Sequence, residues 1–274
     1  MIFLRKIAKT LTIAGSDASG GAGLEADLKT FTEYGTYGMA VVTTIATMDP
    51  KNEWKHNVTT LPVDLVKEQL ETALAGDEQI SAMKTGMIGS VEIVKLIKET
   101  ILEYNLKNIV IDPVLACKGE DDLLNPETAE AIKKELIPIA TVVTPNLIEA
   151  GIFSGLGKLH DIEEIKNAAK IIHGLGAEHV VIKGGKAVDS NLAIDVYYDG
   201  NSYAILKAEK ITPSHTHGAG CTFAAAVTSG LATGLSPKES IIEAKNFVTA
   251  AIKHGFKFNK FVGPVFHSAS RIFK

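Results

Sequence analysis

The segment "HTHGAGCTFAAA", His215–Ala226, holds the most telling arrangement of residue types in the chain. In Gly218-Ala219-Gly220-Cys221 two glycines let the backbone approach a ligand closely, and the small residues that follow suit a helix. A helix start offers N–H groups with no internal partner and the positive end of the helix dipole, which together receive an anion such as phosphate. A thiol placed there is expected to lose its proton more readily than an ordinary cysteine. An anion hole with a basic side chain nearby suits phosphoryl transfer, where catalysis is mostly positioning and neutralisation of charge. Cys221 is therefore the candidate catalytic group, with Gly218 and Gly220 shaping the hole. The other cysteine, Cys117, makes no CxxC or metal-finger spacing with it. Both are expected to be free thiols in a reducing cytoplasm; a small buried hydrophobe is the plain alternative role for each.

Other phosphate motifs are missing. No GxxxxGK[ST] loop occurs, and "GLGKLH" (155–160) lacks its spacing. No GxGxxG follows a first strand with an acidic residue downstream, which argues against a dinucleotide-binding dehydrogenase.

The elements that must position Cys221 alternate. "KTLTIAG" reads as a strand, "AGLEADLKTFTEYG" as a helix with Leu24, Leu28 and Phe31 on one face and Gly35 as its stop, and "YGMAVVTTIATM" as a strand. "PVDLVKEQLETAL" is a helix with Pro62 in its first turn, and "SVEIVKLIKETILEYN" another. "ISAMKTG", "KNIVIDPV", "TVVTPN" and "HVVIKGG" are short apolar strands. In "AIDVYYDGNSYAILKAE" two β runs flank Asp199-Gly200-Asn201, a hairpin signal, and helices over about 219–233 and 237–254 follow. Short apolar strands separated by helices predict one α/β domain over residues 1–274. Its central sheet is mainly parallel and covered on both faces, three layers in all, with an antiparallel hairpin at one edge. Ligands of such sheets bind outside the carboxyl ends of the strands. Polar and glycine-rich stretches fall there: "GSDASGGAG" (15–23), "KTGMIG" (84–89), "DPVLACKGE" (112–120), "TPNLIEAG" (144–151) and "KGGKA" (183–187).

Composition narrows the partners. The 274 residues carry a formal net charge of -4, with 46% hydrophobic and 22% charged residues, the balance of an ordinary globular chain. No Lys/Arg cluster marks a nucleic-acid surface, and no apolar run approaches the roughly 18 residues of a membrane span. Arg5, Lys6 and Lys9 interrupt the opening apolar stretch, which argues against a signal peptide and for a cytoplasmic chain.

In order along the chain, "TIAGSDASGGAGLEADLKTF", "VIDPV", "TPNLIEA", "VIKGG" and "HGAGCTFAAA" resemble the vitamin kinases of the ribokinase superfamily, which phosphorylate hydroxymethylpyrimidine or vitamin B6. The resemblance runs from about Thr10 to Ser268. It implies a ribokinase-like fold, ATP and Mg²⁺ as cofactors with K⁺ as a further candidate, and often a homodimer. Most of the superfamily has an aspartate base at the position of Cys221, whereas this branch has cysteine.

The resemblance also assigns roles. Asn146 and Glu149 match a pair that holds Mg²⁺ through water near the phosphates, with Asp112 as a further metal candidate; capping of a helix by Asn146 is the plainer reading. Lys183, Gly184, Gly185, Lys186 and Ala187 match the loop under the nucleotide, and Asp195, Gly220 and Lys245 match ATP contacts. Asp17, Gly23, Met48, Met87, Val114 and Cys117 match positions around the substrate.

Pyrimidine kinases have a glutamine where Met48 stands, and a thioether cannot make the paired contact an aminopyrimidine edge wants. "ATMDPKNEWKHNV" and "CKGEDDLLNP" resemble instead the pyridoxal kinases of Gram-positive bacteria, which have a lid cysteine at the place of Cys117. That thiol could add reversibly to the aldehyde of pyridoxal. Three alternatives stand beside pyridoxal kinase: hydroxymethylpyrimidine or phosphomethylpyrimidine kinase, a non-catalytic binder of B6 or thiamin precursors, and, less favoured by Cys221, a sugar kinase.

Overall fold

The structure, a computed structural model, describes residues 7–115, 126–185, 191–213 and 215–273. Cys117, Lys186 and Ala187 lie outside the described residues. The centre is a nine-stranded sheet in the order β3-β2-β1-β4-β5-β6-β7-β8-β9. Its strands are β1 (Lys9–Asp17), β2 (Tyr37–Asp49), β3 (Lys55–Thr60), β4 (Ala82–Thr85), β5 (Ile109–Ile111), β6 (Val142–Val143), β7 (His179–Gly185), β8 (Leu192–Tyr198) and β9 (Tyr203–Glu209). The strands β2, β1, β4, β5, β6 and β7 are parallel. The expected hairpin is β8–β9, and β8 also runs antiparallel to β7. The opposite edge differs from the expectation of one antiparallel edge, because β3 turns back antiparallel on β2. Its sequence, KHNVTT, is largely polar and its side chains mostly exposed, so it shows no apolar run.

Among the described residues the eight longer helices are α1 (Gly23–Glu33), α2 (Val63–Leu74), α3 (Val91–Glu103), α4 (Pro126–Ala131), α5 (Leu147–Ser154), α6 (Ile162–His173), α7 (Ala219–Ala232) and α8 (Pro237–Lys253); a short α9 (Ala269–Ile272) follows. Alternation along the strands sorts the core into two layers. Met83, Ile111, Val143, Val180 and Ile182 face one apolar cluster, shared with buried residues of α2, α3, α5 and α6. Ala82, Val110, Val142 and Val181 face the other, shared with α7 and α8. In α7 every residue from Thr222 to Leu231 is buried. Its run of small residues lets it sit close between the sheet, α1 and α8. That packing fixes where the helix start, and so Cys221, points.

No described helix is long and apolar enough to cross a membrane.

Candidate active site

The order of the parallel strands reverses between β1 and β4, and the main cavity opens at the carboxyl ends of the strands beside that switch. Its volume is about 390 Å³. Register shifts near Gly15 in β1 and Gly184 in β7 break the regular pairing just where these strands reach the site.

Cys221 occupies the third position of α7, behind the left-handed N-cap Gly218. The conformation at Gly218 (φ 79°) favours glycine, and a side chain there would also collide with the carbonyl oxygen of Gly21. No side chain caps α7; Ala219 N–H donates to the Thr216 carbonyl, and the N–H groups of Gly220 and Cys221 are left for a ligand. Gly218, Gly220 and Cys221 all line the cavity. The backbone N–H of Gly23, at the start of α1, favours the thiolate form of Cys221. The expected acidic thiol is corrected by its surroundings: burial pushes Cys221 up to about 11, against the pull of the Lys84 ammonium and the Gly23 N–H. The helix start is as expected, but its depth removes the water that would solvate a thiolate.

The positions expected around the substrate, Asp17, Gly23, Met48, Met87 and Val114, all line the same cavity. Asp17 accepts from the N–H groups of Ser19 (2.8 Å) and Ala22 (2.9 Å) and meets His217 Nε2 at 2.7 Å. Burial works against its charge, but the bonds from His217 and Ser19 hold it down to about 2.

Across the cavity Lys183 Nζ reaches Asp112 Oδ1 at 2.7 Å, and Thr144 donates to the same oxygen at 2.9 Å. Asn146 and Glu149 form a reciprocal capping box on α5: Glu149 N–H donates to Asn146 Oδ1, and Asn146 N–H donates to Glu149 Oε2. The plainer capping role of Asn146 is therefore observed. Burial raises Glu149 to about 7, with Lys183 opposing. Among the described residues no group of three or more His, Cys, Asp and Glu converges on one point to hold a metal. Asp112, Asn146 and Glu149 nevertheless present oxygen atoms along one wall. Such a wall fits a hard ion that keeps its waters and takes its remaining ligands from phosphate.

Asp195 and Lys245 do not line this cavity. They pair with each other, Lys245 Nζ to Asp195 Oδ2 at 2.6 Å, and Gly185 N–H donates to Asp195 Oδ1 at 3.3 Å. Lys245 is thus a buried, paired lysine that braces β8 against α8. Gly184 and Gly185 sit at the end of β7, also outside the cavity wall.

Among the cavity residues absent from the candidates, two stand out. His217, which pairs with Asp17, stands directly before Gly218. Lys84 is fully buried, and a lysine inside an otherwise apolar strand is the signal that marks it.

Residues 17–266 match the phosphomethylpyrimidine kinase family. A putative pyridoxine kinase of Staphylococcus aureus (strain COL) is 57% identical over 261 residues, covering 95% of this chain and 94% of that protein. The pyridoxine kinase of Bacillus subtilis (strain 168) is 52% identical over 264 residues, covering 96% and 97%. A hydroxymethylpyrimidine/phosphomethylpyrimidine kinase of the same B. subtilis strain is 36% identical over 263 residues, covering 96% of each. The structure of S. aureus pyridoxal kinase in complex with AMP-PCP and pyridoxal superposes with a TM-score of 0.93 at 52% identity, covering 98% of this chain and 97% of that one. The chain has the ribokinase-like fold and belongs to the phosphomethylpyrimidine kinase family, with greater identity to these pyridoxine kinases than to the hydroxymethylpyrimidine kinase.

Proposed function

We propose that the chain transfers the γ-phosphate of ATP to the hydroxymethyl group of pyridoxal, and of pyridoxine and pyridoxamine, in vitamin B6 salvage in the cytoplasm. The observation that carries this reading is a single cavity. It joins the apolar wall of Met48, Met87 and Val114 to the uncapped start of α7 at Gly218–Cys221. A flat heterocycle fits the first and a phosphoryl group the second. Met48 in place of the pyrimidine kinases' glutamine, and the higher identity to pyridoxine kinases, favour B6 over the pyrimidine.

Cys221 is the general base for the substrate hydroxyl. Burial keeps it a thiol near neutral pH, so the reaction draws on the thiolate fraction. The loose transition state of phosphoryl transfer asks for the hydroxyl proton late, which suits a base held close by rather than one always ionised. The N–H groups of α7 and the Lys183 ammonium receive the phosphates. Asp112, Asn146 and Glu149 would hold a hydrated Mg²⁺, which would offset phosphate charge. Gly184, Gly185, Lys186, Ala187, Asp195 and Lys245 support the nucleotide. Cys117 adds its sulfur to the carbonyl carbon of pyridoxal, and the thiol proton ends on the former carbonyl oxygen. The kinase unit spans the whole chain, and its assembly is a homodimer; exposed Tyr203 on β9 and Ile242 on α8 support a face there.

The test is kcat/KM for pyridoxal, pyridoxine, pyridoxamine and hydroxymethylpyrimidine, in the wild type and in Cys117→Ala. A preference for B6 vitamers is expected, with the pyridoxal value falling far more than the pyridoxine value in the variant. A preference for the pyrimidine would move the chain to thiamin precursors. Equal losses on all substrates would make Cys117 a packing residue.

A further inference from the structure

We propose that Lys84 is a positioning residue for the phosphoryl transfer: its buried ammonium, anchored by Asp27, is the fixed counter-charge of the Cys221 sulfur. The proposal rests on the reading of Cys221 as the base.

Lys84 lies on β4, a strand whose side chains are all buried, and its own side chain has 0% exposure. Its Nζ donates to Asp27 Oδ1 at 3.0 Å and Oδ2 at 2.9 Å. Asp27, on α1, is also 0% exposed and takes a further bond from Thr12 Oγ1 at 2.6 Å. Two charges hidden so completely are a poor device for stability, since well-packed apolar residues of similar size often serve as well or better. The pair therefore calls for another use.

Its position supplies one. Lys84 and Cys221 belong to the wall of the same cavity, and α7 packs directly on β4. Gly86, also in that wall, lies directly against the ammonium: a Cβ there would lie 3.3 Å from Nζ. The groups acting on the sulfur come from every neighbouring element. Lys84 on β4 and the Gly23 N–H of α1 favour the thiolate; Asp27 on α1 and Asp112 after β5 oppose it. Lys183 on β7 lies beside the same helix turn, its Nζ 3.4 Å from where a Gly220 side chain would begin. Lys84 is the strongest of the influences that favour the thiolate. It stays an ammonium: burial works against its charge, but Asp27, Cys221 and Asp112 hold it at about 12. Asp27 fixes the ammonium in place through both carboxylate oxygens.

The sign of two substitutions tests this. Cys221 alkylation by iodoacetamide is followed against pH by peptide mass spectrometry, in EDTA and in a Cys117→Ala background, so turnover is not needed. Lys84→Met should move the midpoint up by about one unit or more. Asp27→Asn should move it down, because it leaves the cation and removes the opposing carboxylate. A pair that only held the fold together would move both midpoints in one direction or neither, and either result overturns the proposal. If Lys84→Met does not fold, the double variant with Asp27→Asn removes both charges of the pair and leaves no lone buried ion from it. Its midpoint should lie above wild type, and a midpoint at or below wild type overturns the proposal. Normal turnover by Cys221→Ala would sink the base assignment while leaving this titration readable.

Discussion

Met48, Met87 and Val114 offer the cavity side chains, whereas Gly218 and Gly220 at its other end offer backbone. The first end can change its ligand by exchanging one side chain. The second cannot be adjusted in that way, because its donors are N–H groups fixed by the packing of α7, and because a side chain at Gly218 has no room. Recognition of the ring and handling of the phosphate are therefore separable. One is open to substitution, and the other is locked to the fold.

The contrast is broken most sharply at the phosphate end. Cys221→Ala should lower kcat by at least about a hundredfold while ATP still binds, as for loss of a general base. Cys221→Asp should recover part of that loss. Because burial places the thiol at about 11, kcat/KM in the wild type should climb as pH rises from neutral through the alkaline range. A plateau already reached at pH 7 would mean that the thiol is ionised at neutral pH during turnover, against the effect of its burial. Glu149→Gln keeps the cap geometry and removes the charge, so the Mg²⁺ concentration for half-activity should rise roughly tenfold. An unchanged Mg²⁺ titration would move the metal toward Asp112.

A smaller effect concerns the support behind the anion hole. His267 Nε2 lies 3.0 Å from Thr222 Oγ1, which donates to the Gly218 carbonyl. Burial lowers His267 to about 4, so the folded state resists a proton that the unfolded chain accepts near 6.5. Stability should be full above pH 6.5 and fall as the pH drops toward 4, by as much as about 3 kcal/mol. His267→Gln should flatten that part of the curve in thermal melts. At the ring end, Met48→Gln should change kcat/KM for hydroxymethylpyrimidine relative to pyridoxal by roughly fivefold, the value of one hydrogen bond. No change would mean that position 48 does not read the ring edge.

The same division governs what was legible beforehand. The anion hole is written in consecutive residues, so Gly218, Gly220 and Cys221 stand out without a structure. The parallel strands announce themselves as buried apolar runs, and β8–β9 through the turn at Asp199-Gly200-Asn201. β3 is hidden because an exposed polar edge strand has no apolar face to betray it. Lys84 and Asp27 are 57 residues apart, and nothing local pairs them. The thiol's acidity is hidden from the sequence for a related reason. A sequence reveals that a cysteine begins a helix, but its depth depends on α1, β4 and the loop after β5 closing around it.

The bond between Asp17 and His217 spans 200 residues of sequence. The loop that carries His217 is held in turn by residues 263–265, through His217 N–H to the Gly263 carbonyl and Val265 N–H to the His217 carbonyl. On a ribosome, β1 and the turn at Asp17 emerge long before these partners exist. Sheet strands can pair as they appear, but the catalytic end of the cavity waits for segments made near the end of synthesis. Such distant contacts are the slow part of folding, since they close large loops before any local gain rewards them. A truncated or stalled chain that lacks residues 263–265 would therefore display strands and helices without a working phosphate site, and activity would appear only with the last contacts made.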